Sequence, residues 1–327
     1  MILDNGAVLL GESFVCDSHA NRPIRMITHA HVDHILELNE SFQRCKLVAM
    51  TPATKEIIEV LYRFPFPRFT EKIQLLNYKE PFEYLNEKVT LFNAGHIAGS
   101  AQVLVENSIG TRMVYTGDFK LPEAEIIECD VLIMEATYGN VNCIRPFKEE
   151  VEGELARLIQ RSLKSGPVYI FGYHGKLQEA VEILRRNGIT LPVIMPERVY
   201  QVAKICERYG MKLGEYFAVT SDEAMEAMKN EYFIGIYHAS SWRKIGNHAT
   251  KIYLSGWEFQ KPVRKVGDRE YEIALSDHSD FDQLLEYVER SSPKLVITDN
   301  YRIGDAVALA REIRKRLKIP ARAMPRK

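Results

Sequence analysis

The chain has few cysteines, no excess of either charge and no long apolar run, and each shortage excludes a class of protein. Five cysteines stand among 327 residues, at positions 16, 45, 129, 143 and 206, with no Cys-x-x-Cys pair. That argues against a disulfide framework and a structural zinc finger, and it fits a reducing compartment. Lysine and arginine number 43 against 44 acidic residues, for a net charge of -1. A protein that held a polyanion by bulk charge would be basic, so any nucleic-acid contact must rest on a local patch or on metal. No stretch approaches the ~18 apolar residues of a membrane span, and Met1 to Gly6 lacks the basic-then-apolar pattern of a signal peptide. A soluble cytoplasmic protein is the expectation. What is present is ordinary globular material, 46% hydrophobic and 27% charged, long enough for one large domain or two.

Short runs rich in Val, Ile, Leu and Thr predict strands at 24–28, 46–50, 88–93, 101–106, 112–116 and 131–135. One helix interrupts them, opened by Pro52, with Ile57, Ile58, Leu61 and Tyr62 on one face. After Gly139 the rhythm changes. Helices at 149–163, 176–186 and 199–209 alternate with strands at 168–171 and 192–195, the pattern of a small parallel α/β unit. Strands return at 271–275 and 294–298, with helices at 281–289 and 305–317. No linker rich in Gly or Ser separates these parts, so an α/β insertion inside a larger mixed domain is predicted.

The densest chemical signal is Thr28-His29-Ala30-His31-Val32-Asp33-His34. Three imidazoles and a carboxylate just after an apolar strand are costly unless something satisfies them. Alternation at a strand end turns His29 and His31 to one side, as two ligands of one metal require. Asp33 and His34 follow at the turn into the next helix, where they could face a second ion.

This His-x-His-x-Asp-His pattern resembles the metallo-β-lactamase superfamily, and the rest of that family's series follows in order. Asp17 closes Phe14-Val15-Cys16-Asp17, where the family keeps a carboxylate that supports the metal loop. His96 lies in Gly95-His96-Ile97-Ala98-Gly99, and Asp118 in Thr116-Gly117-Asp118-Phe119. The resemblance implies that His96 completes the first site with His29 and His31, and that Asp118 bridges to a second ion held also by Asp33 and His34. Two further motifs resemble those of the β-CASP nucleases: Glu135-Ala136-Thr137-Tyr138-Gly139, and Ser276-Asp277-His278-Ser279-Asp280. The predicted insertion lies where those enzymes carry a cap. The expected architecture is thus α/β (α+β), a metallo-β-lactamase αββα sandwich at 1–144 and 256–327, with a β-CASP cap domain at 145–255.

The resemblance further implies phosphodiester hydrolysis by a metal-activated water in which Asp33 takes part. His278 would act as general acid and Glu135 would hold its other N–H. Zinc is the expected cofactor, as one or two ions, with manganese or magnesium at the second site. Lys176, opening a helix after Gly172 and Gly175, is a candidate phosphate contact, with a solvated helix lysine as the competing reading. Ser255 and Gly256 are candidates for the nucleic-acid backbone, beside Trp257 as a stacking surface or a core residue. The basic run Arg311, Arg314, Lys315, Arg316, Lys318, Arg322, Arg326 and Lys327 reads first as a solvated face.

Within the family, the short length and the phrases Gly172-Tyr173-His174-Gly175-Lys176 and Ser255-Gly256-Trp257 resemble the ligase-associated DNA exonucleases and their archaeal relatives, with the crosslink-repair (Artemis-type) nucleases further off. One departure stands out. Where the RNA-acting and ligase-associated branches end a late strand in a metal-binding histidine, this chain reads Ile297-Thr298-Asp299-Asn300-Tyr301. The crosslink-repair branch lacks that histidine too, which favours DNA over RNA as partner. Asp299 or Asn300 could replace it through oxygen. An RNA-processing nuclease, a small-molecule hydrolase of the same superfamily and a non-catalytic nucleic-acid binder are the alternative readings.

Overall fold

The computed structural model describes residues 1–246 and 248–326. The chain divides into two compact units, one formed by Met1–Ile144 with the chain from His278 onward, the other by Arg145–Asp277.

The first unit contains two sheets. The five-stranded sheet runs in the order Val8–Leu10, Phe14–Cys16, Ile24–Met26, Leu47–Met50, Ile73–Leu75, antiparallel only in its first pair. The seven-stranded sheet runs Ala321–Met324, Leu295–Asp299, Val131–Met134, Arg112–Tyr115, Ala101–Asn107, Glu87–Asn93, Phe82–Tyr84. Its first four strands are parallel and the rest antiparallel.

Period-two alternation divides the side chains of this larger sheet between two cores. Leu91, Val103, Tyr115, Ile133 and Ile297 meet Phe14, Met26 and Ala49 of the smaller sheet. Leu104, Val114, Leu132 and Val296 point the other way, onto Phe281, Leu284, Tyr287, Leu309 and Ile313. Those partners belong to helices Phe281–Ser291 and Ala306–Arg316. Each side chain so buried contributes about 1.5–3 kcal/mol. Beyond the smaller sheet, helix Leu38–Arg44 packs on strand Leu47–Met50. There the fully buried Arg25 donates to the carbonyls of Leu36 and Asp17 and to Ser41 Oγ. The order helix, sheet, sheet, helix is the αββα sandwich.

Local chemistry starts the helices where the sequence places them. Thr51 Oγ1 accepts from Thr54 N at 3.2 Å ahead of Pro52, and Asp305 Oδ1 accepts from Ala308 N at 3.0 Å. Strands Glu87–Asn93, Arg112–Tyr115, Val131–Met134 and Leu295–Asp299 all run in one direction, so their C-terminal ends emerge along one edge. The candidate residues His96, Asp118 and Glu135 stand just past those ends.

The second unit is a seven-stranded sheet in the order Tyr216–Ala218, Val193–Met195, Ile234–His238, Val168–Gly172, Thr250–Leu254, Glu270–Ile273, Val263–Lys265, parallel except for the last pair. Helix Val151–Ser162 leads into the first strand, and Lys176–Arg186, Glu197–Arg208 and Asp222–Lys229 connect the strands that follow. The sequence reading ends this unit at residue 255. The structure carries it to Asp277, because Glu270–Ile273 pairs with Thr250–Leu254 rather than with a strand of the first unit. Among the described residues, no helix is long and apolar enough to cross a membrane, and the five cysteines are unbonded to one another.

Candidate metal centre

The smaller sheet supplies the first ligands. Strand Ile24–Met26 ends three residues before His29, and a short 3-10 turn at Val32–His34 folds the segment back. Thr28 N donates to Asp17 Oδ1 at 2.9 Å and its hydroxyl reaches both oxygens of the same carboxylate. Asp17 is fully buried, with φ 65°, and its Oδ2 lies 2.7 Å from His34 Nδ1. That contact turns His34 Nε2 inward, the arrangement by which an outer carboxylate orients a metal-binding histidine.

The larger sheet supplies the rest. His96 follows Glu87–Asn93 on a loop where Gly95, at φ 68°, leaves no space for a Cβ against the Lys120 carbonyl. Asp118 follows Arg112–Tyr115 through Gly117, at φ 54° and pressed on Thr28, so glycine is required for the turn and for the close approach.

The donor atoms converge. His31 Nδ1 lies 3.2 Å from His29 Nε2 and 3.0 Å from His96 Nε2, while Asp118 Oδ2 lies 3.6 and 3.8 Å from the latter two nitrogens. Four donors about 2.0–2.1 Å from a tetrahedral zinc sit about 3.3 Å apart, so these residues fit one ion. The same Asp118 oxygen is 3.3 Å from His34 Nε2, which is also 3.6 Å from Asp33 Oδ2. That His34 nitrogen is buried without a hydrogen bond. His29, His31, His96 and Asp118 could thus hold one ion, and Asp33 and His34 stand around the same Asp118 Oδ2, where a second could be shared.

The electrostatics show what the cluster costs. Burial and the neighbouring imidazoles hold His29 well below the usual histidine range, so the ring is neutral and free to bind metal. For His34, burial and Arg302 oppose the charged form, but Asp118, Asp17 and Asp33 outweigh them and raise it to about 10. Burial works against ionisation of Asp118, yet His34 and the other imidazoles hold its carboxyl well below the ordinary range. Beside this cluster His278 Nδ1 lies 3.0 and 2.9 Å from the two oxygens of Glu135, and its ring centroid lies 4.6 Å from that of His96. Glu135 Oε1 also accepts from Phe119 N at 2.8 Å, which ties the pair to the Asp118 loop.

The substrate candidates fare differently. Lys176 is not an open cation: its ammonium lies 2.8 Å from Asp277 Oδ1, with 12% of the side chain exposed. Ser255 Oγ accepts from Trp257 N, and the Gly256 carbonyl accepts from Arg145. Trp257 is 52% exposed and is not a core residue. Along the basic C-terminal run, Arg316 pairs with Glu312 and Arg314 donates to the Ala321 carbonyl. Lys327 lies outside the described residues.

Neither strand-end substitute for the absent histidine faces the cluster. Asp299 accepts from Tyr301 N and Arg302 N and pairs with the Arg302 guanidinium, while Asn300 Nδ2 donates to the Pro325 carbonyl. Sequence reading missed Arg302. Its one signal is a lone arginine three residues after a buried strand-end aspartate.

The sandwich and the ordered ligand series define a protein of the metallo-β-lactamase superfamily. No family model matches the chain. It is 44% identical over 123 residues to an "Uncharacterized protein in lig 3'region" of Acidianus ambivalens, covering 37% of this chain and 88% of that one. It is 26% identical to a "Probable DNA ligase" of Opitutus terrae over 92% of this chain and 28% of that one. It is 31% identical to an "RNase J-like protein" of Methanocaldococcus jannaschii over 50% of this chain and 44% of that one. The chain therefore spans less than half of the last two. A crystal structure of a protein of unknown function from Enterococcus faecalis shares the fold, with TM-score 0.58 and 15% identity over 84% of this chain and 74% of that one. The chain belongs to the β-CASP family of metallo-β-lactamase-fold proteins.

Proposed function

We propose that the protein is a metal-dependent nuclease that hydrolyses phosphodiester bonds of nucleic acid. The observation that carries this reading is the four-donor cluster with the His278–Glu135 pair beside it, 2.9 Å apart. His29, His31, His96 and Asp118 would hold a divalent cation, which when bound would supply positive charge for phosphoryl oxygens and lower the pKa of a water towards ~7. Around it the chain's own groups divide the work. Asp17 fixes the ring of His34. Glu135 holds Nδ1 of His278, so a protonated His278 can deliver its Nε2 proton to a leaving oxygen. Asp33, with its side chain 47% exposed, can orient or accept a proton from an incoming water.

DNA is the substrate we favour, with the protein acting as an exonuclease. The long alignment with the Opitutus protein named for a DNA ligase and the absent late histidine support it. The RNase J-like relative favours RNA as the second reading. Ser255, Gly256 and the exposed Trp257 remain the proposed backbone and base contacts. Digestion of end-labelled single- and double-stranded DNA and RNA, with zinc, manganese or magnesium supplied, tests both. Release of mononucleotides from a DNA end supports the exonuclease. Cleavage confined to RNA overturns the DNA preference, and turnover of thiolesters without nucleic-acid cleavage overturns the nuclease.

A further inference from the structure

We propose that Arg302 serves as a resident cation beside the Asp33–His34–Asp118 position, so that the centre holds one metal ion tightly and a second only weakly. The inference rests on the metal-centre reading above and adds a residue that no ligand motif contains.

The guanidinium is 6% exposed and held on several sides. Nη1 lies 2.6 Å from Asp299 Oδ2, and Nη2 donates to the Asp33 carbonyl at 3.1 Å and the Gly6 carbonyl at 3.4 Å. Nη2 also lies 3.9 Å from Asp17 Oδ2, the oxygen that lies 2.7 Å from His34 Nδ1. One carboxylate oxygen therefore stands between a guanidinium and the imidazole whose Nε2 faces Asp33 and Asp118. Arginine does not lose its proton in proteins, so this charge is permanent.

Two consequences follow for an ion beside His34. It meets a fixed like charge in a poorly solvated place, and it shares the field of Asp17 with that charge. It also lacks a ligand from the strand end, because Asp299 and Asn300 are committed to Arg302, the turn and Pro325. The bond to the Asp33 carbonyl gives Arg302 a second role, tying the turn Val32–His34 to strand Leu295–Asp299. At 6% exposure it does not reach substrate. It is a positioning residue.

The test is titration of metal-free full-length protein with zinc and with manganese, read as bound equivalents and affinities. The unchanged protein should bind one equivalent tightly and a second about a hundredfold more weakly. Arg302→Gln removes the charge and, being two bonds shorter, also gives up the contact to the Asp33 carbonyl; it should tighten the second equivalent about tenfold or more while leaving the first within about threefold. Arg302→Lys keeps the charge and should keep the split. Should Arg302→Gln not fold, Arg302→Gln with Asp299→Asn removes the buried pair together and leaves neither charge unpaired. It too should tighten the second equivalent. Two tight equivalents in the unchanged protein would overturn the proposal, as would a second equivalent untouched by losing the guanidinium, or one that tightens equally in Arg302→Lys. Failure to bind a first equivalent would sink the metal-centre reading instead.

Discussion

Both units bury charge, but they balance it in different ways. In the second unit the buried groups find opposite partners: Lys251 with Glu270 at 2.7 Å, Glu258 with Arg264 at 2.7 Å, Asp277 with Lys176 at 2.8 Å. Nothing further is needed to hold them, so such pairs read as structure. Along the strand-end edge of the first unit, imidazoles and carboxylates instead crowd one point, with three donor nitrogens within 3.2 Å of a neighbour. A neutral imidazole has one ring N–H to give, so His31 Nδ1 cannot satisfy both neighbours by hydrogen bonding and the convergence as a whole is not explained by it. The difference teaches that buried polar groups of one donor type facing a common centre call for a cation, whereas opposite pairs do not.

The largest expected effect breaks this contrast at its centre. Asp118→Ala should abolish hydrolysis and lower bound metal, since its Oδ2 faces both ligand sets, while the fold survives by circular dichroism. Full activity in that variant would remove the assignment. His278→Ala comes next. Turnover should fall by about 10²–10⁴-fold with metal content and substrate affinity kept, because its contact is with Glu135. Loss of a whole metal equivalent would make it a ligand.

Lys176→Ala probes the other unit. It removes the ammonium that faces the buried Asp277 carboxylate and should cost up to about 3 kcal/mol of stability in denaturant unfolding, with metal titration unchanged. A shift in metal affinity would mean that the pair serves the metal.

Asp17→Asn sharpens the comparison further, with an expected tenfold to about a hundredfold loss of affinity for the second metal equivalent, which His34 faces. It also has a pH signature in metal-free protein. The Asp17 carboxyl is lowered from 3.8, chiefly by His34 against its burial, so its contribution is full above that value and fades at more acid pH. His34 is raised from 6.5 to about 10, so its contribution is full below 6.5 and fades as pH climbs through 10. Together the pair stabilises best between those two ordinary values, and melting curves with chelator should show the window shrink in the variant. The smallest effect belongs to Trp257→Ala. Stability should move by no more than about 0.5 kcal/mol at so exposed a site. Loss of single-strand affinity there would support stacking.

The boundaries of many elements were legible in the chain. Helix Lys176–Arg186 and the strands carrying His96 and Asp118 stand within a residue or two of their predicted places, because apolar periodicity is local. The edge strands Phe82–Tyr84, Tyr216–Ala218 and Val263–Lys265 were not, being three residues long and only partly buried. Nor could the sequence tell which sheet Glu270–Ile273 would join. Alternation marks a strand but not its hydrogen-bonding neighbour.

By itself the sequence determined the inventory of candidate ligands. His29, His31, Asp33, His34, His96 and Asp118 are chemical types at strand ends, and type and spacing are local properties. Only the tertiary structure decided how those ends meet. It put His34 against Asp17, His278 against Glu135 and Lys176 against Asp277. It also committed Asp299 to Arg302 rather than to a metal. Those pairings join residues from 3 to 143 positions apart. The distant pairs were settled by which strand lay beside which, and all of them by the cost of leaving a buried charge unpartnered.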